Sequence, residues 1–254
     1  MSDDVLVEAR RSLFAEVRRL SGLLETEKTR RRAPMVRRLH EIRRMLDRGY
    51  HYSSQAGQDL VIDMMMQRKR GGTFLDIGGY DGVTGSNTFF LEVFRGWTGA
   101  LVEPVPAQLQ KAQEVRRCPC HGVAVAASEG EADFIEVVEG YTQMSGLAET
   151  DDARVLQTVR ADARHKERRI SVKTRTLARI MADTGVTAPD LISLDIEGSE
   201  IPVLESFDFA KYSVEFWSIE NNTGDLALSE IMRANGYRLA EFCGPDELYQ
   251  RVPE

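Results

Sequence analysis

A chain of 254 residues, 42% hydrophobic and 29% charged, has the composition of a globular protein with one sizeable core. No apolar run reaches membrane-spanning length, and the first residues lack the basic segment and apolar stretch of a signal peptide, so the expected location is cytoplasmic. The net charge of -7 is unevenly spread: residues 1–50 carry 13 Lys/Arg against 8 Asp/Glu, about +5, which leaves about -12 on the remainder and disfavours a polyanionic partner such as nucleic acid.

Leu6, Leu13, Val17, Leu20 and Leu24 recur at helical spacing and predict an amphipathic helix with a narrow apolar stripe. After a charged break, Pro34 is placed to start a second helix with a Met35, Leu39, Ile42, Leu46 stripe, ended by Gly49. The pair reads as a helical arm over residues 1–49, either folded onto the rest of the chain or pairing with a second copy in a homo-oligomer. Arg30, Arg31, Arg32, Arg37 and Arg38 lack interleaved aromatics and read as a solvated face. Cys118, Cys120 and Cys243 have neither zinc spacing nor a disulfide framework, and the four histidines are scattered.

From residue 50 onwards an α/β unit is expected. A helix over about 58–67 leads to the buried strand Phe74–Ile77, which breaks into a turn containing Gly78, Gly79 and Gly82. Ser86 and Asn87 are cap-type residues before the next helix, whose free N–H groups face that turn. The following strand ends at Glu103, about twenty residues beyond Gly82, the separation at which such folds set a carboxylate on ribose hydroxyls. The glycines do not fit G-x-G-x-x-G. Asp76 and Asp81 repel a diphosphate but accept a cationic amino-acid tail, which favours S-adenosylmethionine over NAD or ATP.

Further along, Pro104 and Pro106 turn the chain into a helix, and His121–Ala127 reads as a third parallel strand with Ala126 and Ser128 leaving room for an adenine ring. Glu131–Val138 and Ile170–Thr174 alternate as an antiparallel pair, and the polar stretch 141–169 between them reads as a lid near the site. A fourth parallel strand ends at Asp195, with Glu197 and Glu200 beyond it, and a fifth ends at Glu220 before Asn221. Carboxylates on strand ends are costly to bury unless they meet something positive. A helix at Leu226–Ala234 and a terminal antiparallel hairpin, Tyr237–Phe242 with Leu248–Val252, complete the chain.

Several motifs in one order resemble the FkbM family of S-adenosylmethionine-dependent methyltransferases: Ser54-Gln55-x-Gly57-Gln58-Asp59-Leu60, Phe74-Leu75-Asp76-Ile77-Gly78-x-Tyr80-Asp81-Gly82, Trp97-Thr98-Gly99, Val102-Glu103-Pro104, Leu194-Asp195-Ile196-Glu197-Gly198-x-Glu200 and Ile219-Glu220-Asn221. The likeness spans roughly residues 50–250. It implies a class I, Rossmann-like fold with a mainly parallel seven-stranded sheet, and methyl transfer to a hydroxyl of a sugar or natural product. The expected cofactor set is Gln58, Asp76, Gly78, Gly79, Tyr80, Asp81, Gly82, Ser86, Asn87, Glu103, Pro104, Ala126, Ser128 and Asp195, with Asp195, Glu197 and Glu220 as catalytic acids. Asp195, Glu220 and Asn221 are also similar to the oxygen ligands of magnesium-dependent catechol-type O-methyltransferases, which implies a possible Mg2+ site. The alternative is a non-catalytic cofactor-binding or assembly subunit joined through the arm.

Overall fold

The five-residue run Thr73–Ile77 is apolar apart from Thr73 and Asp76, and it forms the central strand β1, buried from Phe74 to Ile77. Side-chain alternation along β1 sends Leu75 and Ile77 to one face and Phe74 to the other. Asp76 shares the face of Phe74. The computed structural model describes residues 2–148 and 160–253.

Around β1 the chain winds α4 (Phe89–Arg95), β2 (Thr98–Val102), α5 (Pro106–Val115) and β3 (Cys120–His121) to one side. It then returns through α6 (Leu177–Thr184), β8 (Leu191–Leu194), α7 (Glu200–Glu205) and β9 (Phe216–Glu220) to the other. After α8 (Leu226–Ala234), the hairpin β10 (Tyr237–Cys243) and β11 (Asp246–Arg251) closes the edge. The seven-stranded sheet runs β10-β11-β9-β8-β1-β2-β3. It is mixed: β3, β2, β1, β8 and β9 pair in parallel, whereas β11 is antiparallel to both β9 and β10. The direction of winding reverses between β1 and β8, and open α/β sheets bind ligands in the crevice beyond such a reversal.

The expected strand 121–127 is divided. Gly122 and Val123 interrupt it; β3 stays with β2, while β4 (Ala124–Val125) pairs with β7 (Lys166–Arg175) in a second sheet. That sheet, ordered β4-β7-β5-β6, contains β5 (Gly130–Glu139) antiparallel to β7 and the short β6 (Gly146–Leu147) on its edge. Its small core of Val105, Ala124, Phe134, Leu147 and Val172 sets it beside the end of β2.

At the amino end α1 (Ser2–Thr26) and α2 (Arg32–Leu46) form a hairpin closed by Leu20, Leu39 and Ile42, with Leu13, Val17, Leu24, Met35 and Leu46 packed around them. The expected stripe on α1 is thus covered by α2 of the same chain, and only Leu6 of that stripe stands fully outside. Two members of the arginine cluster are not a solvated face. Arg32 grips Glu241 of β10 through Nε at 2.6 Å and Nη2 at 2.5 Å, and its Nη1 donates to the carbonyls of Leu24 and Glu27 at 2.6 and 2.7 Å. Arg30 donates to Glu247 of β11 at 2.5 Å and to the carbonyls of Asn221 and Pro245. The basic arm is therefore pinned to the acidic body by charge-assisted bonds that leave little freedom of register. Beyond the arm, α3 (Gln58–Met65) leads into β1, with Met65 and Met66 packed on the core but Met64 largely exposed.

Candidate active site

Gly78 follows β1 with φ at 80°, and a Cβ there would lie 1.7 Å from the carbonyl oxygen of Asp195. Only glycine lets the turns after β1 and β8 come together so closely. Tyr80, held at φ 48°, donates its N–H to Glu103 Oε2 at 2.9 Å, and Val105 N donates to Glu103 Oε1 at 2.8 Å. The carboxyl of Glu103 is consequently fixed at the end of β2. Burial pushes it up to about 7, with the charges of Asp76 and Glu136 acting the same way and the two N–H donors opposing.

Asp76 is held from behind. Its Oδ2 accepts from Ser86 Oγ at 3.2 Å, from Thr88 Oγ1 and from Arg116 Nη1 at 3.1 Å. Arg116, from the end of α5, also binds Glu92 at 2.6 Å and stacks its guanidinium 5.3 Å from the Phe74 ring centroid. Ser86 Oγ accepts from the N–H groups of Thr88 and Phe89, so it caps α4 from just outside the helix.

On the other side of the crevice, Glu200 closes the turn after β8 by accepting from Ile196 N at 2.8 Å and Gly198 N at 3.0 Å. Glu197 within that turn is left-handed, at φ 55°. The turn brings Asp195 and Glu197 against Glu220 from β9, with one carboxylate oxygen of each within 4.8 Å of the others. Asp195, half-buried and opening on the cavity, is pushed up to about 8, first by loss of hydration and then by the charges of Asp246 and Glu200. Glu220 is raised well above its ordinary value by burial and by Asp195. Adjacent carboxyls in this state share a proton or hold a cation, because both cannot ionise unopposed. The three acids offer hard oxygen donors of the kind a divalent ion takes.

These groups open on one cavity of about 440 Å³, within the usual range of small-ligand sites, roughly 300–1,000 Å³. Of the residues expected from sequence, Asp76, Gly78, Gly79, Tyr80, Ser86, Asn87, Glu103, Pro104, Asp195, Glu197 and Glu220 line it. Others are placed elsewhere. Gln58 is buried under the hairpin, with Oε1 on Ala56 N and Nε2 toward the Cys243 carbonyl. Asp81 is occupied in its own turn by the N–H groups of Val83 and Thr84, and Gly82 packs on Ala112 and Arg116 of α5. Ala126 continues the pairing of β4 with β7, and Ser128 is exposed beyond it. Neither lines the cavity; the wall on this side is made by the preceding residues Val123, Ala124 and Val125. Asn221 holds the following turn together, with Nδ2 on Glu247 Oε1 and the Asp225 carbonyl and Oδ1 on Asp225 N, so Glu197 and not Asn221 completes the acidic triad.

Sequence reading missed three contributors. Arg116 has no local signal, since only the fold turns it under Asp76. Asp246, at the start of β11 and opposite Glu220, accepts from Asn87 Nδ2 at 3.2 Å and Ser218 Oγ at 2.8 Å. Arg37 reaches the cavity from the arm. Asn87 spends its amide N–H groups on Ser193, Ser218 and Asp246, which fixes its orientation and leaves its buried Oδ1 without a partner among the described residues. A buried acceptor left this way is a place for a ligand donor. Over the cavity, Tyr141 to Ser145 and Leu147 form a strap, latched by Tyr80 Oη to Thr142 Oγ1 at 2.6 Å. Of the rest of the expected lid, residues 149–159 lie outside the described residues, and residues 166–169 belong instead to β7, paired with β5.

The acids, the glycine turn and Glu103 fit an adenosyl sulfonium, which offers a cation, a ribose diol and a planar base. Among solved structures the chain is similar to a methyltransferase FkbM from Methylobacillus flagellatus, at 15% identity and TM-score 0.48 over 93% of this chain and 58% of that one. It is also similar to a TehB-like S-adenosylmethionine-dependent methyltransferase from Corynebacterium glutamicum, at 14% identity and TM-score 0.39 over 78% and 88%. The chain thus spans little more than half of the first of these. Comparison with curated protein sequences gives no match. No helix among the described residues is long and apolar enough to cross a membrane. The profile of the Methyltransferase FkbM domain matches residues 76–239, well over half of the chain, and the protein belongs to this family of S-adenosylmethionine-dependent methyltransferases.

Proposed function

We propose that the protein is an O-methyltransferase that moves the methyl group of S-adenosylmethionine to a hydroxyl of a small molecule, a sugar or natural-product moiety. The observation that carries this reading is the position of Asp195: a carboxyl raised to about 8 stands on the same cavity as the glycine turn and Glu103. The sulfonium methyl is already activated, so the protein needs to hold an oxygen in line with it and take the proton. Asp195 is the base, and Glu197 and Glu220 orient the hydroxyl and keep the base proton-hungry. Glu103 receives the ribose, Gly78 and Gly79 give the cofactor close access to backbone, and the ammonium of its amino-acid end faces the carboxylates. The strap from Tyr141 excludes water once Tyr80 and Thr142 are latched.

The test is release of S-adenosylhomocysteine by purified protein given S-adenosylmethionine and a panel of sugar and polyketide hydroxyls. Turnover that Asp195→Asn abolishes supports the assignment; cofactor binding without turnover across the panel favours the assembly-subunit reading. Magnesium on Asp195, Glu197 and Glu220 is a second reading, favoured by the approach of their oxygens. Titration calorimetry with Mg2+, on wild type and Glu197→Gln, checks it independently of activity.

A further inference from the structure

The cavity wall is strongly asymmetric in charge. Among the described residues, five carboxylates line it, Asp76, Glu103, Asp195, Glu197 and Glu220, against one cationic side chain, Arg37. Arg37 belongs to α2, outside the residues matched by the family profile. Its position is fixed by the docking of the arm. Arg30 is bonded to the carbonyl of Pro245, itself part of the cavity wall. His40, one turn further along α2 on the same face, packs against Gly57, where a Cβ would meet it at 3.2 Å. The segment before Gly57 runs beside the glycine turn: Ser54 bridges to Gly85, and Gln55 lies so close that a Cβ on Gly85 would come within 2.7 Å of its Cγ. Arg37, Gln55 and Ser86, which holds Asp76, thus line one cavity, with Gln55 against the turn that precedes Ser86.

The charge of Arg37 is incompletely matched. Its Nε reaches Glu41 at 3.2 Å, but Glu41 also receives Arg38 at 3.4 Å, and the Arg37 side chain is 56% exposed. A zwitterionic amino acid bound here has one favourable orientation: ammonium toward the acids within, carboxylate toward the guanidinium at the rim.

We propose that Arg37, with the Gln55 amide on the same cavity wall, binds the carboxylate of the cofactor's amino-acid end, so that the N-terminal arm completes the cofactor site. This rests on the reading of the cavity as the S-adenosylmethionine site. The experiment uses the full chain and two ligands, S-adenosylhomocysteine and 5′-methylthioadenosine, which keeps the adenosyl thioether and lacks the amino acid. Arg37→Gln is compared with Arg38→Gln, the same charge change on the neighbouring exposed side chain. Loss of a charge-assisted bond weakens S-adenosylhomocysteine roughly tenfold or more in Arg37→Gln. Methylthioadenosine affinity is unchanged, and Arg38→Gln alters neither. Unchanged S-adenosylhomocysteine affinity in Arg37→Gln overturns the assignment, and so does an equal loss for both ligands, which marks a general distortion. Wild-type protein that binds neither ligand overturns the cofactor reading itself.

Discussion

The guanidinium of Arg116 lies between two buried carboxylates, 3.1 Å from Asp76 Oδ2 and 2.6 Å from Glu92 Oε2, with its own side chain fully buried. Removing the cation leaves both acids uncompensated in the core. Arg116→Met is expected to lose about 3–5 kcal/mol of stability. Asp76→Asn in the same chain restores part of it. Urea unfolding decides the matter: a midpoint as high as that of the exposed Arg169→Met variant would mean that the pair is not holding the turn.

Asp195 has to be ionised to accept a proton. With its carboxyl near 8, the turnover number should climb with pH through that region and level off above it. Asp195→Asn removes the rise and lowers turnover about 10²–10⁴-fold, while S-adenosylhomocysteine affinity changes little. A pH profile flat between 6 and 9 on a turnover-limited substrate speaks against this base.

For Glu103 the sign of the pH effect is set by its raised carboxyl, about 7 in the folded chain against 4.5 for the free group. Its contribution to stability is complete below the unfolded value and declines as pH rises through the folded one, by roughly 3 kcal/mol in all. Melting curves at pH 5 and pH 8 should therefore differ less for Glu103→Gln than for wild type. Glu103→Ala also weakens cofactor binding; calorimetry returning the wild-type affinity contradicts the ribose assignment.

Acid is expected to loosen the arm through His40. Burial pulls its imidazole down to about 4, the charge of Arg44 adds to the effect, and Glu41 and the Ser54 backbone oppose it. A lowered histidine favours the folded state above about 6.5 and withdraws that support as pH falls toward 4. The protection factors of amides in α1 and α2, with the intrinsic pH dependence of exchange divided out, should fall between pH 7 and pH 5, and His40→Phe should blunt the change.

Arg32 is the other fastening. Arg32→Ala gives up the fork on Glu241 and two carbonyl bonds at the α1–α2 turn. Limited proteolysis is expected to cut the 27–31 segment earlier in this variant, at a cost of about 1–3 kcal/mol in overall stability. Equal cleavage rates would show that Arg32 does not hold this turn, and that Arg30 with the apolar contacts of Leu20, Leu39 and Ile42 suffices.

Much of the architecture follows from local pattern. The apolar runs ending at Ile77, Val102, Leu194 and Glu220 became β1, β2, β8 and β9, because a short run that is hydrophobic throughout is stable only when covered on both faces. Leu226–Ala234 emerged as α8 with Asp225 as its cap. The strand over 121–127 was misjudged, since a run of small apolar residues carries no mark of which sheet will claim each half; the backbone of β7 took Ala124 and Val125.

By itself, then, the order of residues determined which segments are strands and helices, where the glycine turn falls, and which acids end the parallel strands: Asp195, Glu220 and, just past β2, Glu103. These depend on near neighbours in the chain. Tertiary structure alone decided that Arg116 neutralises Asp76, that Asp246 stands opposite Glu220, that Asn221 and Gln58 turn away from the cavity while Arg37 enters it, and that Arg30 and Arg32 of the arm are fasteners. Each joins residues far apart in the chain, and a charge carries no address in its sequence; its partner is settled only when folding removes water from around both.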